Sequence, residues 1–184
     1  MGRHFAQIAF TPAVQSEQRQ LGSQAHFARV AETGRDDSAL TAAEAGFIQA
    51  RDSFYMATVS ETGWPYMQHR GGPAGFVRVL DAKTIGFADV TGNRQHISLG
   101  NLANNDRVSL FFMDYANRRR LKLLGHARVV RDDPDLLARL TPPGAERIAE
   151  SAVLIEVAGY DWNCPQHITP RLTQEEWQAI ATSA

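Results

Sequence analysis

The sequence predicts a mainly β protein with flanking helices, its strands forming a closed or nearly closed antiparallel barrel. Three observations carry that expectation. Short apolar or alternating segments recur from Phe54 to Ala158, most of them bounded by Gly, Pro, Asn or Asp. The segment 119–130 divides by alternation, with Leu121, Leu123, Ala127 and Val129 on one face and Arg120, Lys122, His126 and Arg128 on the other. Few helices interrupt the strands, and closing such a sheet removes its exposed edges. A sandwich is the alternative arrangement.

The elements follow in order. The first forty residues are polar and helix-prone, with a thin stripe of Val14, Leu21, Ala25 and Ala28 at helical spacing. They are expected to form an arm (1–40) that packs on the body or on a partner subunit. Thr41 and Glu44 have the spacing of a reciprocal cap, which starts a helix near 42 anchored by Phe47 and Ile48. Strands are expected at Phe54–Ser60, Pro65–Arg70, Phe76–Leu80, Thr84–Ala88, Arg107–Met113, Arg119–Val130 and Ala152–Ala158. Helices are expected over 94–103, 134–140 and 144–150. A second cap, Thr173 with Glu176, opens a last helix carrying Trp177, Ile180 and Ala181. The main domain is thus 41–160, and 161–184 is a terminal loop and helix.

Composition narrows the function. A chain of 184 residues with a formal net charge of −1 gives no global attraction to nucleic acid or an anionic membrane. The lone Cys164 excludes an internal disulfide framework and a four-cysteine metal site. MGRHFAQIAF lacks the apolar run of a signal peptide, and no stretch is long enough to cross a bilayer. A soluble, cytoplasmic protein is expected.

Four stretches offer chemistry. In Asp89-Val-Thr-Gly-Asn-Arg94 a glycine turn presents neutral donors and a planar guanidinium, and a helix starting near Asn93 would add free N–H groups suited to phosphate. The same residues fit a capped turn with Arg94 in water. In Gln68-His69-Arg70, Gln68 and Arg70 point one way and His69 the other, ahead of Gly71-Gly72-Pro73, whose glycines allow close approach of a ligand. A polar strand end is the plainer reading. Arg118-Arg-Arg-Leu-Lys122 is a solvated face, an intersubunit ion-pair strip, or a cation beside a ligand phosphate or ring. In the loop from Asp161 to Pro170, Trp162 and His167 can stack on a planar ring and Gln166 can hydrogen-bond it, or Trp162 simply clamps the loop to the barrel. A metal site is disfavoured, because His69, His96, His126 and His167 lack partners at ligand spacing. A Cys164–His167 nucleophilic pair is a minor alternative.

Three segments, Gly63–Gln68, Phe87–Arg94 and Asn104–Leu110, together resemble the pyridoxamine 5'-phosphate oxidase-like family of FMN-binding split barrels. Gly63-Trp-Pro-Tyr-Met-Gln68 resembles the strand after its Gly-x-Pro turn, and Phe87-Ala-Asp-Val-Thr-Gly-Asn-Arg94 its phosphate strand and turn. Asn104-Asn-Asp-Arg-Val-Ser-Leu110 resembles the helix end and the next strand. The resemblance spans roughly 40–160 and implies an antiparallel split β-barrel, homodimeric, with FMN at the subunit interface. It implies that Gln68, His69 and Arg70 line the ring and ribityl chain, that Ala88, Asp89, Asn93 and Arg94 surround the phosphate, and that Arg120 approaches from its strand. Donors near the flavin N1 and O2 would stabilise the reduced ring. It further implies that Trp162, Gln166 and His167 complete the site from the neighbouring subunit.

Gly71-Gly72-Pro73 stands where the family's oxidases carry an apolar run ending in Lys, and their C-terminal arginine-histidine signature has no counterpart here. These departures imply a branch other than the authentic oxidases. The expected function is an FMN-dependent oxidoreductase acting on a small molecule. The alternatives are a flavin carrier or sensor without turnover, or a split barrel that binds haem or a deazaflavin.

Overall fold

Seven strands with flanking helices make up the computed structural model, which describes residues 1–142, 149–162 and 164–183. The helices α1 (Arg3–Ala9), α2 (Pro12–Gln20), α3 (Gln24–Thr33) and α4 (Ala42–Gln49) come first. Next are β1 (Ser53–Val59), β2 (Pro65–Gly71), β3 (Arg78–Val79) and β4 (Thr84–Val90), then α5 (Ile97–Asn104). The chain continues through β5 (Arg107–Asp114), β6 (Arg119–Val130), α6 (Pro134–Leu140), β7 (Ala149–Trp162) and α7 (Gln174–Ser183). No helix among the described residues is long and apolar enough to cross a membrane.

The strands pair antiparallel in the order β2-β1-β5-β6-β7-β4-β3, so β2 and β3 are edges and the sheet is open. The sheet nevertheless curls until its ends meet. Phe54 on β1 lies 5.4 Å, ring to ring, from Phe87 on β4, although β5, β6 and β7 separate those strands in the sheet. This is a barrel with one open seam, consistent with a split-barrel fold. Alternation fills it: Phe54, Met56, Leu110, Phe112, Leu121, Leu123 and Ile155 are all buried inside. A smaller cluster of Leu136, Leu140, Ala152 and Leu154 packs α6 against the outside.

The expected caps form as their spacing requires. Thr41 and Glu44 bond reciprocally at the start of α4, and Thr173 and Glu176 do so at the start of α7. The amino-terminal stripe is different. Leu21 is 81% exposed and α3 buries no residue, so Val14, Leu21, Ala25 and Ala28 do not pack on the barrel of their own chain. Contact with the barrel instead comes from α1, whose Phe5 and Ala6 are buried. Gly159 permits that approach, because a β-carbon there would lie 2.7 Å from the Phe5 backbone nitrogen. The buried Asp37 carboxylate then accepts from the N–H groups of His4 (2.7 Å), Phe5 (2.9 Å) and Tyr160 (3.3 Å), tying α1 to β7.

Two strand expectations also change. The segment 76–80 shrinks to Arg78–Val79, because Phe76 turns inward to stack 5.8 Å from Phe54. β7 outruns the expected 152–158 at both ends and includes Asp161 and Trp162, which pair with Lys122 and Leu121. The helix expected over 144–150 falls outside the described residues except for Ala149 and Glu150, which open β7.

Candidate functional site

The seam of the barrel holds the site. On β2 the alternation turns Gln68 and Arg70 inward and leaves His69 exposed, its ring edge-on to Tyr55 at 5.5 Å. Facing them, β4 presents Asp89, where its pairing with β7 shifts register. Arg70 Nη1 donates to Asp89 Oδ1 at 2.5 Å, and the guanidinium lies 5.6 Å from the centre of the Phe87 ring. Arg70 Nε is buried without a partner. The Ser98 hydroxyl, at the start of α5, donates to Gln68 Oε1 at 3.0 Å. One turn later Asn101 Nδ2 donates to Thr58 Oγ1, which fixes α5 against β1.

Between β4 and α5 the chain makes a turn that a helix cannot include. Arg94 and His96 adopt left-handed φ angles of 58° and 53°, and Asn93 Oδ1 accepts from the Gln95 N–H at 3.1 Å. The helix expected from 94 therefore begins at Ile97. Its first-turn N–H groups, on Ile97, Ser98 and Leu99, have no partner within the helix and supply the anion-attracting end that was expected at Asn93.

Two neighbouring cavities open here. The smaller, about 160 Å³, is lined by Gln68, Arg70, Asp89, Asn93, Arg94 and the start of α5. The larger, about 540 Å³, is lined by Gln68, His69, Arg70, the Gly71-Gly72-Pro73 bend, Phe76, Phe87 and Ala88. Gln68, Arg70, Val90 and Gly92 line both. A guanidinium beside free helical N–H groups suits a phosphate-sized anion, and a wall of two phenyl rings suits a planar group. Sequence reasoning missed Ser98, Tyr66, Glu150 and the two phenylalanines as lining residues. A serine four residues after Arg94, in the first turn of an expected helix, was the available signal for Ser98.

Arg120, Trp162, Gln166 and His167 line neither cavity in the single chain. Arg120 is half-buried on β6, and its Nε lacks a partner. Gln166 and His167 are exposed in the segment after β7. Trp162 lines a separate cavity of about 590 Å³ with Arg35, Arg118 and Arg119. Its ring packs edge-on to Phe47 at 4.7 Å, under the Arg119 guanidinium at 4.7 Å. Its Nε1 donates to the buried Glu44 Oε1 at 2.7 Å.

Burial pushes the Glu44 carboxyl up, but hydrogen bonds from the Thr41 hydroxyl, the Trp162 indole and the Thr41 N–H outweigh it and bring its pKa to about 2. A carboxylate depressed on folding contributes stability that is complete above its ordinary value of 4.5 and is lost as pH falls toward 2. Urea unfolding over that window should show the fall, and Glu44→Gln should flatten it. An unchanged pH slope in Glu44→Gln would contradict this role.

Comparison with known proteins agrees with the architecture. A streptococcal (Group A) HupZ structure covers 72% of this chain and all of its own, at 16% identity and a TM-score of 0.56. A Lactobacillus delbrueckii protein described as a putative pyridoxamine 5'-phosphate oxidase matches at 19% identity and a TM-score of 0.53, covering 67% of this chain and 94% of its own. An FMN-binding protein from Syntrophomonas wolfei matches at 7% identity and a TM-score of 0.50, covering 65% and 86%. No curated protein matches the sequence. The sequence profile for pyridoxamine 5'-phosphate oxidase matches residues 40–179, a span that takes in the whole barrel and both cavities. With that match over most of its length, the chain belongs to the pyridoxamine 5'-phosphate oxidase family.

Proposed function

We propose that this protein binds FMN in the seam of the barrel and acts, as a homodimer, as a flavin-dependent oxidoreductase on a small molecule. The observation that carries the reading is the adjacency of two cavities that share Gln68, Arg70, Val90 and Gly92: a small one at Arg94 and the start of α5, beside a larger one walled by Phe76 and Phe87. The structural neighbour from Syntrophomonas wolfei described as FMN-binding supports the choice of cofactor.

The residues present fit the group. Arg94 and the N–H groups of Ile97 to Leu99 hold the phosphate, and Arg over Lys allows bidentate contact. The Gln68 amide and the unpartnered Arg70 Nε supply donors for the polar edge of the ring. Phe76 and Phe87 exclude water from its face. Bound FMN would supply the electron transfer, which no side chain here can perform. Reduction by NADH or NADPH, followed by reoxidation with candidate acceptors, tests the enzymatic part. Rates no faster than those of free FMN would instead identify a carrier.

A second subunit would bring Arg120, Trp162, Gln166 and His167 to the ring. Two features favour an interface on this side: Trp64 and Met67, flanking and within β2, are 76% and 64% exposed. Subunit exchange tests the arrangement. In a two-fold dimer, mixing Arg94→Ala with the Gln166→Ala/His167→Ala double variant places both lesions on one site and leaves the other intact. Flavin binding should then recover in the mixed dimer. Confirmed exchange without recovery, with each parent defective, would return the loop to its own subunit.

A further inference from the structure

The Arg70–Asp89 ion pair is not a cross-strand neighbour pair. β2 opens the strand order and β4 stands next to its far end, so the pair reaches across the open seam. It does so where the two cavities meet: Arg70 lines both, Asp89 the smaller and Ala88 the larger. The two side chains are only 16% and 10% exposed, so water screens their charges little. Arg94, at the other end of the smaller cavity, is exposed and forms no ion pair among the described residues. Glu150 on the same cavity accepts a hydrogen bond from the Thr91 hydroxyl at 3.3 Å. The smaller cavity thus holds Arg94, a cation without an ion pair among the described residues, together with the Glu150 carboxylate, and the waist is electrically neutral where Arg70 and Asp89 pair.

We propose that Asp89 determines ligand specificity by cancelling the charge of Arg70. Ligands that carry one terminal phosphate and an uncharged planar body are accepted, and those with a second anionic group on the ring are refused. The inference rests on reading the Arg94 end as the phosphate site. Without Asp89, Arg70 becomes a shielded, unpaired cation that draws a second anion to the waist.

Two probes share a phosphate and differ in one charge: phenyl phosphate and 4-carboxyphenyl phosphate. Their affinities are to be measured by calorimetry for the unaltered protein, Asp89→Asn, Arg70→Gln and the double variant. The unaltered protein should prefer phenyl phosphate by about tenfold, because the added carboxylate loses water at a waist that offers no net positive charge in return. Asp89→Asn should abolish or reverse the preference, and Arg70→Gln should enlarge it. The double variant should return to the unaltered ratio, because its waist is neutral again. If Asp89→Asn does not fold, the contrast between Arg70→Gln and the double variant decides the matter. An unchanged ratio across the variants, with phenyl phosphate still bound, overturns the role of Asp89 alone. A double variant that behaves like Asp89→Asn assigns the effect to lost packing and also overturns it. Failure of phenyl phosphate, inorganic phosphate and FMN to bind the unaltered protein overturns the phosphate site, and the proposal with it.

Discussion

Replacing Phe54 by alanine is expected to destabilise the fold by about 3–5 kcal/mol, the cost of emptying a close-packed aromatic site. The ring is 1% exposed and lies 5.1 Å from Phe112, 5.4 Å from Phe87 and 5.8 Å from Phe76. These neighbours come from different parts of the chain: Phe112 is on the adjacent strand, whereas Phe87 belongs to the opposite end of the sheet. Phe54 is thus where the curled sheet meets itself, and the barrel shape depends on it more than on any single hydrogen bond of the ladder. Phe76 and Phe87 also wall the larger cavity, so the loss should reach the site. Urea unfolding should show the lower midpoint, and flavin affinity should fall even where the variant remains folded. Phe54→Leu, which keeps most of the volume, should cost less than about 1.5 kcal/mol. An alanine variant as stable as the parent would mean that the two ends of the sheet do not rely on this contact.

Arg94→Ala is expected to weaken FMN binding by about 1.5–3 kcal/mol, the worth of a charge-assisted contact to phosphate. Fold stability should barely change, because Arg94 is exposed and makes no ion pair among the described residues. Its left-handed φ of 58° is retained by alanine at similar strain, so a loss of affinity would report the guanidinium rather than the turn. Arg94→Lys should lie between, since an ammonium keeps the charge and loses the planar fork. Unchanged FMN affinity in Arg94→Ala would place this side chain in water.

Where one physical rule dominated, the sequence was legible. β6 was expected over 119–130 and is found there, because eight of its twelve residues alternate between an apolar and a charged face. Both capping boxes formed, since their chemistry is local to four residues. Rules that depend on distant partners were not readable. Phe76 leaves its expected strand for the Phe54 ring, and Trp162 extends β7 because Leu121 and Glu44 receive it. The amino-terminal stripe had helical spacing but does not pack on the barrel of its own chain, whereas Phe5 and Ala6 are buried beside Gly159. In the site, Gln68, Arg70, Asp89, Asn93 and Arg94 converge, yet the bond between Arg70 and Asp89 spans a seam that only the curled sheet creates. The start of α5 was misplaced because the left-handed Arg94 and His96 carry no glycine to announce them.

The most direct measurement is the affinity of the flavin-free protein for FMN and for riboflavin, titrated side by side at one ionic strength. The two ligands share a ring and ribityl chain and differ in the phosphate, so the ratio isolates the cavity formed by Asn93, Arg94 and the start of α5. The proposed site requires FMN to bind at least about tenfold tighter, with Arg94→Ala narrowing the gap. Equal affinity for the two flavins, or a gap that survives Arg94→Ala intact, would contradict it.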